Sequence, residues 1–184
     1  MKINTEKLLA ELNYSTQLII VKVNEFKHLS EAELNWKENA EKWSILECLE
    51  HLNLYGDFYI PEINKAIQNS QTSPRSQFKS GVLGNYFAES MLPKEDMKKM
   101  KTFKDKNPAN SALTNTVIDR FLDQQTSLLK LLEAAQKVDL QKVKTAVSIS
   151  KLIRLRLGDT FRFVNNHNKR HFAQIEKIIL QLKN

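Results

Sequence analysis

The residues best suited to chemistry in this 184-residue chain are its four histidines, His28, His51, His167 and His171. His167 and His171 stand four apart, and on a helix that spacing sets two imidazoles on one face within reach of a single ion. The stretch that carries them also holds Val164, Ile175, Ile178 and Leu182 at steps of three and four, so both histidines take core positions in an apolar seam. His51 lies on a second such face, beside Cys48, Tyr55 and Phe58. Imidazole fills a core poorly unless its nitrogens are satisfied, and helix bundles build metal sites from inward-facing side chains on neighbouring helices. His51, His167 and His171 are therefore the candidate metal ligands. The plainer reading, three hydrogen-bonded structural histidines, stands beside that one. His28, near the end of the first helical stretch, reads as a partner of the helix C-terminal dipole and is left outside the site.

The local sequence limits what such a centre does. In HNKRH, Asn168 stands where a metalloprotease of the H-E-x-x-H type carries its general base, which excludes that mechanism. Three histidines without a protein carboxylate leave at least one coordination position open, as catalytic sites do. Cys48, three residues before His51, would close a four-ligand shell; a buried thiol filling core space is the competing reading. Tyr55, one turn past His51, is the candidate catalytic residue, placed to orient a ligand or carry a proton, and equally suited to the core. Glu47, one turn before His51, has the same two roles open to it and a third as a helix cap. Gln124 and Gln125 interrupt an apolar seam and mark either a polar pocket or the edge of a stripe.

These residues need long helices to hold them, and the composition allows little else. Four glycines and four prolines are too few to turn an all-β chain every ten residues or so. One cysteine excludes an internal disulfide. Apolar periodicity predicts helices over Thr5–Leu29, from Ser44 onward, over Ser111–Lys137, and from an N-cap at Asp159 to Lys183. Ser44 with Glu47 forms the capping-box pattern, and Pro61 predicts a kink or an early end of the second helix. The expected fold is all-α, a single four-helix-bundle domain over residues 1–184. A short first link suits antiparallel neighbours. The second link, from Asn69 to Ala109, is about 40 residues, enough to run back along a helix of about 37 Å. Helices two and three are then parallel, in up-down-down-up order. Phe78, Val82, Leu83, Tyr86, Phe87, Met91 and Leu92 should pack this crossover down.

Two segments resemble a known family. KWSILECLEHL (Lys42–Leu52) resembles the helix-two signature of the DinB/YfiT-like superfamily, and LGDTFRFVNNHNKRHFAQIEKI (Leu157–Ile178) resembles its last helix. The resemblance implies a bundle whose divalent ion, often zinc or nickel, is bound at the positions of His51, His167 and His171. It matches Trp43 and Ser44 to the helix opening, and Arg170 and Gln174 to the final-helix pattern. It also implies a small-molecule substrate and a homodimer. Activities in the family include thiol-dependent S-transferases using a low-molecular-weight thiol, and metal-dependent hydrolases. Two acidic positions common in the family are Asn53 and Asn168 here, so metal binding carries over more directly than any one proton transfer.

The formal charge of +7 raises nucleic-acid binding as a competitor. KEDMKKMKTFKDK (Lys94–Lys106) holds six lysines, but six arginines against 22 lysines is a poor mix for reading bases. Solvated charge is the reading adopted, and no nucleic-acid partner is expected. A metal-stabilised interaction bundle without turnover is the third alternative. No apolar run approaches the ~20 residues that cross a bilayer, and the N-terminus lacks the pattern of a secretory signal. A cytoplasmic protein without membrane attachment is expected.

Overall fold

Asn4 ends a short strand, and its side chain accepts the Lys7 N–H at 3.0 Å, capping the first long helix. This helix, α1 (Thr5–Phe26), turns Leu8, Leu9, Leu12, Ile19, Val23 and Phe26 inward. Reciprocal capping boxes open the next two helices. Ser30 with Glu33 starts α2 (Glu31–Asn35), and Ser44 with Glu47 starts α3 (Ile45–Gln68). α3 runs through Pro61 without stopping. Burial of Tyr59 and Ile63 on either side holds the turn that proline weakens. α4 (Val82–Ser90) lies in the crossover, and α5 (Thr116–Ala134) and α6 (Leu157–Leu182) complete the helices. The computed structural model describes residues 1–93 and 101–182.

α1, α3, α5 and α6 form a four-helix bundle. One apolar cluster joins the start of α1 (Leu8, Leu12), the end of α3 (Tyr59, Ile63), the end of α5 (Leu128, Leu132) and the start of α6 (Leu157, Phe161). A second joins the opposite ends, through Val23, Phe26, Ile45, Leu49, Ile118, Phe121, Phe172 and Ile175. The chain therefore runs up, down, down, up, as expected. α1 and α3 each pack against α5 and α6. They occupy opposite corners, which corrects the expectation that the first two long helices are neighbours. The parallel pair α3 and α5 is the one in closest association, because the long crossover frees them from hairpin geometry.

Two antiparallel pairs of strands, absent from the sequence expectation, tie down the links. β1 (Lys2–Asn4) pairs with β2 (Gln77–Lys79), Ile3 opposite Phe78. β3 (Lys144–Val147) and β4 (Ser150–Arg156) form a bulged hairpin that feeds directly into α6. Leu157 and Gly158 donate their N–H groups to the carbonyls of Val143 and Leu140, so the helix starts before Asp159. Phe78 lies over the bare Cα of Gly158, where an added Cβ would sit 2.6 Å from its ring.

Asp159 is accordingly not the N-cap. It is fully buried in the first turn of α6 and accepts from Ser80 Oγ, from Gly81 N at 2.8 Å and from Arg162 at 3.2 Å. Arg162 also donates to Asn85 at 3.0 Å, completing a lock between the crossover and α6. The crossover is only partly packed down. Phe78 is buried and Met91 nearly so, but Val82, Leu83, Tyr86 and Leu92 are exposed. The small residues Gly84 and Ala88 form the buried face of α4, which packs against α6; Phe87 packs partly against the core beside Phe163, while Val82, Leu83 and Tyr86 point outward. Of the lysine-rich segment, residues 94–100 lie outside the described residues. Among those described, no helix is long and apolar enough to cross a membrane.

Candidate metal centre

Between the two apolar clusters each helix contributes polar residues to the core. α1 supplies Thr16, α3 supplies His51 and Asn53, α5 supplies Gln125, and α6 supplies Asn165, His167, Asn168 and His171, all buried. The helical period that turns the apolar residues inward turns these inward too.

At this level the structure brings His51, His167 and His171 together, and one nitrogen from each lies within 4.8 Å of the others. His51 Nε2 and His167 Nε2 are 3.2 Å apart. Two nitrogens on one tetrahedral zinc lie roughly 3.3 Å apart, given bonds of about 2.05 Å. The donor set therefore fits a divalent ion. His51 Nδ1 is 2.6 Å from the backbone carbonyl of Lys106. A carbonyl only accepts, so Nδ1 carries the proton and Nε2 keeps its lone pair directed at the other two rings. His171 Nδ1 is buried without a hydrogen-bond partner, a nitrogen for which the protein alone offers no satisfaction.

All three imidazoles are held neutral. Burial, assisted by the other two histidines and Arg170, lowers His167 well below its usual value. Burial brings His51 down to about 4, against the opposing hydrogen bond to Lys106. It brings His171 down to about 3, with His51 acting in the same direction and Gln174 opposing. Neutral imidazole is the form that binds a metal.

Aromatic rings wall the cluster. Trp43 is 4.8 Å from the His51 ring and stacks on His171 at 5.8 Å, so this packing anchor also covers the candidate ligands. Tyr55 meets His167 edge-on at 4.6 Å and His51 at 5.0 Å. Burial first, then Tyr59 and Asp105, push its hydroxyl up to about 12, so Tyr55 keeps its proton. Tyr55 also lines a cleft with Phe103, Asp105, Lys106, Ser148 and Ile149. It borders a cavity with room for about one water molecule, shared with Gln124, Gln125, His167 and Asn168.

Cys48 is buried and its thiol is raised far above its usual value, by burial and then by Glu47. Among the described residues it is not part of the ligand group. His28 is exposed at the end of α1 and takes no part. Gln125 accepts from Asn168 Nδ2 at 2.9 Å, joining α5 to α6 through the core, so it does line a polar interior. Gln124 is less buried and bonds Asn53 O and Asp57. Sequence reasoning missed the Lys106 carbonyl, because a backbone atom has no residue type to announce it.

A bundle in up-down-down-up order with three converging histidines on its second and last long helices defines the class: a four-helix bundle with a candidate metal site. The chain belongs to the DinB superfamily, whose family model matches residues 23–175. It is 26% identical over 157 residues to the uncharacterized protein YuaE of Bacillus subtilis (strain 168), covering 84% of this chain and 88% of that protein. Its fold is similar to that of YfiT from Bacillus subtilis, with a TM-score of 0.57 and 11% identity over 97% of this chain and 87% of the other. YfiT is described as a probable metal-dependent hydrolase with an unusual four-helix bundle topology.

Proposed function

We propose that this protein is a divalent-metal-dependent enzyme in which His51, His167 and His171 hold zinc or nickel, and that it transfers a low-molecular-weight thiol to a small electrophilic substrate. The observation that carries the reading is the convergence of three neutral imidazoles with no carboxylate among them. A divalent ion bound there supplies Lewis acidity that lowers the pKa of a thiol or water placed beside it. A thiol activated in this way needs no protein base, whereas Asn53 and Asn168, the amides near the centre, cannot take a proton. Tyr55, kept protonated, donates a hydrogen bond to the charge that develops on the leaving group or the reacting carbonyl. Trp43, Tyr55 and Phe163 keep bulk water away from the imidazoles. The thiol's sulfur forms the new bond to carbon as the bond from that carbon to the leaving group breaks, and the leaving group departs with its electron pair and takes up the proton the thiol gave up.

A metal-dependent hydrolase is the second reading. The description of YfiT favours it, and so does the water-sized cavity against His167. On either reading the protein acts on a small molecule as a homodimer, the latter checked by light scattering on the eluting peak. The decisive experiment is metal content by mass spectrometry on tag-free protein, beside His51→Ala and His167→Ala. Near one equivalent in wild type, lost in both variants, is the expected result. Conjugation of a small thiol to an electrophile by the loaded protein, abolished in His51→Ala, then favours transfer; ester or amide cleavage without thiol favours hydrolysis. No metal after zinc and nickel are supplied would leave a core of structural histidines and overturn both.

A further inference from the structure

Glu47 does more than a capping box requires. One carboxylate oxygen, Oε2, accepts the Ser44 N–H at 3.0 Å while Ser44 Oγ accepts the Glu47 N–H at 3.1 Å, and this exchange is the complete box. The other oxygen, Oε1, reaches out of the helix. It accepts from the backbone N–H of Asn110 at 2.8 Å and from Lys37 Nζ at 2.5 Å. The side chain is only 2% exposed, so a charged group has been buried to hold a segment of the crossover.

That segment is the one that reaches His51. From Lys104 to Ser111 the backbone is tied to itself. Asn107 N–H bonds the Lys104 carbonyl, Ala109 N–H bonds the Asn107 side chain at 3.2 Å, and Ser111 N–H bonds the Pro108 carbonyl at 3.1 Å. Pro108 is buried within it. Asn110 has φ of 65°, and among the described residues it is the sole non-glycine with positive φ. Asparagine tolerates this left-handed conformation better than most residues, but still at a cost. Fixing Asn110 therefore fixes the whole short turn, including the Lys106 carbonyl that holds His51 Nδ1.

We propose that Glu47 is a positioning residue for His51, acting through the crossover backbone: it anchors Asn110, and the anchored turn presents the Lys106 carbonyl that keeps the His51 Nε2 lone pair aimed at His167 and His171. This inference rests on the metal-site reading of the three histidines. It adds to that reading the device that orients one of them before any ion arrives.

The test separates capping from positioning. Zinc affinity is measured by competition with a chromophoric chelator, and the His51 tautomer is read by nitrogen-15 NMR on metal-free protein at neutral pH. Ser44→Ala removes half of the capping box but leaves Oε1 in place; it should lower the melting temperature and leave both readouts unchanged. Glu47→Ala removes both oxygens and should lower zinc affinity about 10-fold or more, the usual effect of removing an outer hydrogen bond behind a metal ligand. It should also turn the single His51 tautomer into a mixture. Asn110→Ala, at an exposed position with the carboxylate intact, should weaken zinc several-fold, while Asn110→Gly should retain wild-type affinity. Loss of stability in Glu47→Ala with zinc affinity and tautomer unchanged would reduce Glu47 to a cap and overturn the proposal. If Glu47→Ala does not fold, an unchanged tautomer and affinity in Asn110→Ala overturns it instead. Should wild type bind no zinc, the metal reading fails, while the tautomer in Glu47→Ala still decides whether the turn orients His51.

Discussion

α6 carries two buried polar clusters, and they are built on opposite principles. At its first turn Asp159 and Arg162 are nearly inaccessible, and each finds partners: Ser80, Gly81 and one another for the aspartate, Asn85 besides for the arginine. Two turns further on, His167 and His171 are just as buried, yet they face His51 with ring nitrogens converging and leave His171 Nδ1 without a partner. The first cluster is closed, since burying the charges has been offset by mutual satisfaction. The second is open, since one of its ring nitrogens, His171 Nδ1, is satisfied only if something else joins it. Buried polarity by itself does not distinguish a structural lock from a ligand site. An unpartnered ring nitrogen within a group of converging histidines does.

This contrast can be broken by experiment, most forcefully at the closed cluster. Asp159→Ala leaves Arg162 and the Gly81 N–H without their acceptor, and should cost about 3–5 kcal/mol of stability by urea unfolding. A loss below 1 kcal/mol would mean that the cluster is not the lock described. At the open cluster the same test should reverse: His167→Ala should leave metal-free stability near wild type but abolish stabilisation by zinc. In wild type that stabilisation should be about 2.7 kcal/mol at a free zinc concentration 100 times the dissociation constant.

A comparable effect, spread over a wider range of conditions, follows from pH. His51 titrates at about 4 and His171 at about 3 in the folded protein, against about 6.5 when unfolded. The unfolded chain thus binds more protons below pH 6.5. Metal-free stability should be full above that pH and fall as pH drops toward 4, by about 1.4 kcal/mol per unit for each histidine. Urea midpoints at pH 7 and 5.5 would show it, and His167→Ala should have the shallower slope. Equal slopes would mean the imidazoles are not held neutral.

Much of this was legible in the chain. The i,i+4 pair at His167 and His171 and the seam position of His51 come from a 3.6-residue period, which a single sequence carries in full. Ser44 with Glu47 announced the start of α3 for the same reason, since both halves of a capping box lie three residues apart. The failures share a cause as well. Asp159 resembled an N-cap because its type and its neighbour Gly158 suit one, but the backbone arrives from β4 already turning, and the carboxylate goes to Ser80, 79 residues away. The hairpin at 144–156 was hidden because its strands are short and bulged, so no alternation repeats over a longer stretch.

By itself, then, the sequence determined the class of fold, the up-down-down-up order and the three histidines, because each depends on spacing along one helix or on the reach of one link. Tertiary structure alone decided that α1 and α3 take opposite corners, that Gln125 meets Asn168 across the core, and that a backbone carbonyl from the crossover stands behind His51. Those are contacts between segments distant in the chain, and their geometry is set by how the apolar clusters pack rather than by any local pattern of residues.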